Sequence, residues 1–224
     1  MLGELYGGAI ETRFARDLPE LVALVRAEAV EPITIQEASF QPNRLLTLRT
    51  RNSAAYKGLY ALLMRDGCYD LRTGEPIEAQ TFFDRAIEIH HVFPENWCKA
   101  AGREAGIYNS IINKTALSAP TNRLIGGRAP SNYLPAIERA AGISPAKMEE
   151  FLRSHCIAPE HLRADRFWDF FQARADALLQ RIEPATGKTI TREPHLFRPG
   201  VVTEAYDEGP EEWDAMPAVE EASS

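Results

Sequence analysis

The residues with the most chemistry to offer lie between positions 86 and 134. His90 and His91 stand side by side near the end of an apolar run, Ala86 to Phe93 (AIEIHHVF), that Pro94 closes. Asn113 comes nineteen residues after Pro94, Asn122 nine residues after that, and Arg123 is its neighbour. Two histidines on one strand, one asparagine on a second strand and another at the head of a helix could together hold a divalent cation. Hydrolysis of a phosphodiester needs such a set. A base with a pKa near neutrality must take the proton of the attacking water, and histidine supplies this without a large shift. A cation bound through few protein groups, with open positions for phosphate oxygens, stabilises the charge that develops. A neutral amide can hold the base in one orientation through backbone hydrogen bonds, and an arginine or lysine nearby would hold the phosphate.

The segment IEIHHVFPENW … SIINKTALSAPTNRLIGGRAPSNYL resembles the HNH, or ββα-metal, nuclease motif, and more narrowly the nuclease half of GmrSD-type restriction endonucleases. The resemblance implies that His90 is a metal ligand and His91 the general base. It makes Asn113 the residue that orients the base and Asn122 the second ligand to Mg²⁺ or Mn²⁺, with no nucleotide cofactor in this chain. Phosphate contacts would come from Arg123, Lys114, Arg128 and Arg51. Glu88 alternates with His90 on the strand and is expected to support it from behind. The implied activity is nicking of DNA in restriction of foreign or modified DNA, as in phage defence. The alternative is a catalytically weak module that docks on DNA or on a partner in a larger restriction complex.

The sequence departs from that family in three places. His90 stands where many relatives carry Asp, which leaves a neutral ligand pair that should hold a hard cation weakly. The last motif residue is Asn rather than His. No Asp-Gly-Gln-Gln-Arg type run marks a ParB-like nucleotide-hydrolysing region, and no P-loop is present. The chain is therefore expected to be a piece of a longer protein or a stand-alone nuclease half, with a ParB-like domain or subunit as a candidate partner beside DNA. The opening stretch MLGELYGGAIETRF reads in the same sense, like the interior of a longer chain.

The elements that must position these residues give a mostly helical α+β fold around a small ββα core. Four regions are expected: helical at 1–85, the nuclease core at 86–142, C-terminal helices packing on the core at 143–200, and an acidic tail at 201–224. Leu18, Leu21, Val22 and Val25 predict a helix from Asp17 to Ala29, with Pro19 in its first turn. Pro32 to Phe40 reads as extended, and Leu45 to Arg51 fits either a strand or a helical turn. Asn52-Ser53 caps a helix running to Arg65, with Tyr56, Leu59, Tyr60 and Leu63 on one face. Ala86–Phe93 and Ser110–Leu117 are predicted strands, and Glu95 to Ala105 a short helix. Pro120-Thr121-Asn122 starts a helix, Pro130-Ser131 opens another, and Ser144 caps Pro145 to His155. Asp165 is expected to cap the longest helix, whose stripe runs from Phe167 to Ile182.

The chain has 224 residues, 45% of them hydrophobic, and a net charge of −7. Eight acidic residues with no Lys or Arg fall between Glu204 and Ser224, so residues 1–203 carry +1 and charge does not exclude a polyanionic partner. The tail is expected to be a solubilising segment, with shielding of a basic cleft as the alternative. Cys68, Cys98 and Cys156 form no C-x-x-C pair, which fits a reducing, cytoplasmic setting. No apolar run suffices to span a membrane. Arg44, Arg49, Arg51 and Lys57 form either a DNA track or a solvated basic face. Asn109-Ser110 reads as a turn outside the site, His155 and His161 as surface or core-edge residues, and His195 as part of a C-terminal arm.

Overall fold

A computed structural model describes residues 10–26, 31–50, 53–78, 87–192 and 197. Helix α1 spans Ile10–Val25 and begins seven residues before the expected start, so that Pro19 lies inside it rather than in its first turn. Its apolar stripe is not core: Leu18, Leu21, Val22 and Val25 are all exposed. The segment expected to be extended holds a short helix, α2 (Ile33–Glu37), entered through Pro32. Arg44–Thr47 forms α3, the helical one of the two options at that position. Helix α4 (Ala54–Arg65) follows its sequence signals. Ser53 caps it by accepting from Tyr56 N–H, and Tyr56, Leu59, Tyr60 and Leu63 are buried.

The sheet is a single antiparallel pair among the described residues, β1 (Ile87–His91) against β2 (Lys114–Ser118), with His90 opposite Thr115 and His91 opposite Lys114. Between the strands lie α5 (Glu95–Ala100), α6 (Ala105–Tyr108) and one 3₁₀ turn, Ile111–Asn113. Asn113 thus ends a 3₁₀ turn and is not a strand residue. The β-branched Ile111 and Ile112 are buried there instead of pairing in the sheet, and Ile111 N–H donates to Leu48 O at 2.8 Å.

Helix α7 (Ala119–Ile125) follows β2 without a loop. Its cap is Ser118, which accepts from Thr121 N–H, so Asn122 stands one turn into the helix rather than at its cap. Helices α8 (Pro130–Ala141), α9 (Pro145–Ser154), α10 (Pro159–Arg163) and α11 (Phe167–Thr186) complete the fold. Pro starts α8, α9 and α10, a position where its missing N–H costs nothing. Asp165 does not cap α11. It has φ +52°, and its carboxylate accepts from Ser131 N–H at 2.9 Å and Ser131 Oγ at 2.6 Å, tying down the start of α8.

The core gathers between α11, α4, α8 and the β1–β2 pair with α7. Phe93 packs against Trp97, Phe167 and Phe170 at centroid distances of 4.7, 5.2 and 5.1 Å. Arg174 of α11 is fully buried and donates to the carbonyls of Ile112 (2.7 Å) and His155 (3.3 Å), which fixes the 3₁₀ turn from behind. His155 is also fully buried, not at the surface. Its Nε2 lies 2.7 Å from Tyr69 O and its Nδ1 2.8 Å from Thr115 Oγ1. The carbonyl can only accept, so Nε2 carries the hydrogen and Nδ1 accepts from the threonine. Burial pushes the His155 pKa down to about 4, leaving it neutral at pH 7. Among the described residues no helix is long and apolar enough to cross a membrane.

Candidate active site

The end of β1 and the helix that follows β2 face each other across an open cleft. His90, His91, Pro94 and Glu95 line one wall, Asn122 and Arg123 the other, with Asn96 and the turn Ile125-Gly126-Gly127 also bordering it. Gly126 and Gly127 both have positive φ, and a Cβ on Gly127 would stand 3.4 Å from Asn96 Nδ2. The backbone here therefore leaves room that a side chain would fill.

The wall carrying the histidines is held by buried hydrogen bonds. The chain leaves β1 straight after His91, and the next peptide units are clamped by Asn113, which is fully buried. Phe93 N–H donates to Asn113 Oδ1 at 2.9 Å, and Asn113 Nδ2 donates to Phe93 O (2.9 Å) and Tyr108 O (3.0 Å). Val92 N–H donates to Asn113 O at 2.8 Å, and Tyr133 of α8 donates its hydroxyl to Val92 O at 2.9 Å. Asn113 thus braces the backbone two residues downstream of His91, and its three side-chain hydrogen bonds all go to main-chain groups.

His91 is half-buried, with the edge of Tyr108 packed against it at a centroid distance of 6.0 Å. Its Nε2 lies 2.9 Å from Asn109 Oδ1. Burial lowers its pKa, the Asn109 hydrogen bond opposes that shift, and the positive charge of Lys114 on the facing strand adds to it. The lowered pKa favours the neutral imidazole, the state a base requires. Asn109, which the sequence presents as an ordinary Asn-Ser turn, is thus in contact with the central histidine. Its composition signal is that of any turn, and only the contact across eighteen residues distinguishes it.

On the same strand, Glu88 Oε2 lies 3.0 Å from His90 Nε2, an ion-pair distance. Across the cleft, α7 is fixed at its start by Asp70, which is buried. Asp70 accepts from Ser118 N–H (2.8 Å) and Thr121 Oγ1 (2.7 Å), and from Arg72 and Thr73 N–H within its own turn. Burial works against its ionisation, but these hydrogen bonds outweigh it and hold its carboxyl below the usual range.

The four expected phosphate contacts separate. Arg123 is exposed at the cleft and makes no side-chain hydrogen bond or ion pair among the described residues. Lys114 is half-buried and donates to Arg49 O at 3.0 Å, and burial lowers its pKa. Arg128 is turned onto the C-terminal end of α7, donating to the carbonyls of Leu124 and Ile125. Arg51 lies outside the described residues, as do His195 and the acidic tail.

Among the described residues no group of three or more His, Cys, Asp or Glu side chains could hold a metal ion. The pair His90 and Asn122 is a different kind of site, one imidazole and one carboxamide opening onto one cleft. With the imidazole unprotonated, such a pair could hold a divalent ion weakly, the ion taking its remaining oxygens from water or phosphate. Glu95, which no spacing in the sequence singles out, brings a carboxylate to the same cleft, although Lys99 holds it at 2.6 Å.

Comparison with known proteins adds little to this geometry. No family model matches the chain, and no solved structure matches it. An uncharacterized protein of the archaeon Methanocaldococcus jannaschii is 26% identical over 172 residues, which cover 71% of this chain and 29% of that protein. The chain thus spans less than a third of the length of the curated relative it matches.

Proposed function

We propose that the protein is a metal-dependent endonuclease of the HNH type that hydrolyses phosphodiester bonds in DNA. The observation that carries the reading is that His90, His91, Asn122 and Arg123 open onto one cleft, while Asn113 holds the strand end from within the core. His91 takes a proton from water; the water oxygen bonds to phosphorus and the bond from phosphorus to the 3′-oxygen breaks. Arg123 holds the phosphate across the cleft. A Mg²⁺- or Mn²⁺-like ion, when held by His90 and Asn122, would supply stabilisation of the negative charge on the leaving and non-bridging oxygens. Glu88 keeps His90 in place, a role that ligand histidines generally require of a carboxylate or carbonyl neighbour. One such site cuts one strand, so nicking is the expected product. The resemblance to the nuclease half of GmrSD-type enzymes implies that the setting is restriction of foreign or modified DNA, with a ParB-like domain or subunit as partner.

The test is plasmid nicking in Mg²⁺ or Mn²⁺ by the wild-type chain and by His91→Ala. Wild type should convert supercoiled to relaxed plasmid, and the variant should be slower by about 10²- to 10⁴-fold. Undiminished nicking by His91→Ala would remove His91 as the base. Absence of nicking by the wild-type chain in both metals, with DNA retained in a binding assay, would replace the nuclease with a binding module.

A further inference from the structure

We infer that Asn109 is a positioning residue for His91: it holds the imidazole as the Nε2–H tautomer and so makes Nδ1 the ring nitrogen that accepts the proton from water. The inference rests on the reading of His91 as base and deepens it by naming the atom. The carboxamide oxygen of Asn109 lies 2.9 Å from Nε2. A carbonyl-type oxygen only accepts, so the nitrogen that meets it carries the hydrogen, and a neutral imidazole protonated there has its lone pair on Nδ1. Among the described residues, the charges acting on the ring are Lys114 from β2 and Glu95 from α5, and Tyr108 from α6 packs against it.

Asn109 is itself held. It closes α6, with its N–H on Ala105 O at 3.0 Å, and the preceding carbonyl, Tyr108 O, accepts from buried Asn113. The same Asn113 side chain grips Phe93, two residues beyond His91. One buried carboxamide therefore spaces the two chain segments that carry the His91–Asn109 pair. An amide suits this task better than a carboxylate would. It accepts from Nε2–H without the full negative charge that would favour keeping a second proton on the ring.

The test uses the full chain with ¹⁵N-labelled histidine, studied by NMR at a pH where imidazole is neutral, together with nicking kinetics. The expected spectrum shows His91 protonated on Nε2, with that N–H exchanging slowly with solvent, and Nδ1 bare. Asn109→Leu should lose the slow exchange and lower kcat by about 10- to 100-fold with KM little changed. Asn109→Asp retains an acceptor and should restore the protected N–H. A proton found on Nδ1 of wild-type His91 overturns the inference. So does an Asn109→Leu protein with unaltered exchange and kcat. Should Asn109→Leu fail to fold, the wild-type spectrum decides alone. A wild-type chain that shows the expected tautomer but does not nick would sink the nuclease reading and leave the hydrogen-bond assignment standing.

Discussion

Replacing Asn113 with alanine tests how the strand end is held. The side chain is fully buried and makes three hydrogen bonds to backbone, at 2.9, 2.9 and 3.0 Å. Asn113→Ala strands the Phe93 N–H without an acceptor and removes a donor from two carbonyls, leaving a small void. A buried donor left unsatisfied costs about 1–3 kcal/mol and each lost hydrogen bond about 1 kcal/mol, so the expected loss is about 4 kcal/mol. For a chain of this length, that lowers Tm by roughly 8–16 °C. Asn113→Asp separates acceptor from donor. The introduced carboxyl can still accept from Phe93 N–H, but when ionised it faces the carbonyls of Phe93 and Tyr108. Its pKa in the folded protein is therefore raised, and the stability it retains is present at acid pH and lost as pH rises through that value. The gap between Asn113→Asp and wild type should narrow as pH falls. Thermal and urea unfolding of the three proteins between pH 4 and 8 measure this. A loss of under 1 kcal/mol for Asn113→Ala, or a gap that widens toward acid, would refute the clamp.

His155 predicts an acid-sensitive fold. Its pKa is about 4 in the folded protein against an ordinary value of 6.5, so the unfolded chain binds a proton that the native protein refuses. The stability of the neutral, buried ring is present above pH 6.5 and should decline as pH falls from there to 4. The expected slope is about 1.4 kcal/mol per pH unit, roughly 3 kcal/mol in all, and His155→Gln should flatten it in urea titrations. The two arginines near the cleft should differ in DNA binding. Arg123→Gln is expected to weaken affinity and reduce the slope of log K against log salt by about 0.9, whereas Arg128→Gln, whose guanidinium is engaged by the carbonyls of α7, should leave the slope unchanged. Equal slopes in fluorescence-anisotropy titrations of the two variants would contradict that division.

Where local chemistry determines an element, the sequence announces it. Ser53 before a stripe of Tyr and Leu, Pro130 at the start of α8 and Ser144-Pro145 at the start of α9 all appear in the structure as read. Where tertiary partners decide, composition misleads. Asp165 has the look of a helix cap but serves a different helix through Ser131. Ile111 and Ile112 have strand character, yet burial against α3 and α11 winds them into a 3₁₀ turn. His155 resembles a surface histidine because its two partners, Tyr69 and Thr115, are 86 and 40 residues away. His90, His91 and Asn122, singled out through the motif they resemble, line one cleft, whereas the Asn109 contact carries no sequence signal, since it depends on how α6 ends.

Helix α7 is tethered at its start by Asp70, a residue outside the cleft wall, and closed at its other end by its own neighbour Arg128. Asn122 and Arg123 therefore travel together as one rigid insert. The turn at 70–73 holds the start of that helix, since Asp70 bonds Thr121 from 51 residues earlier in the chain. Variation in that turn is a means of retuning the spacing of the two walls while every residue that borders them stays the same.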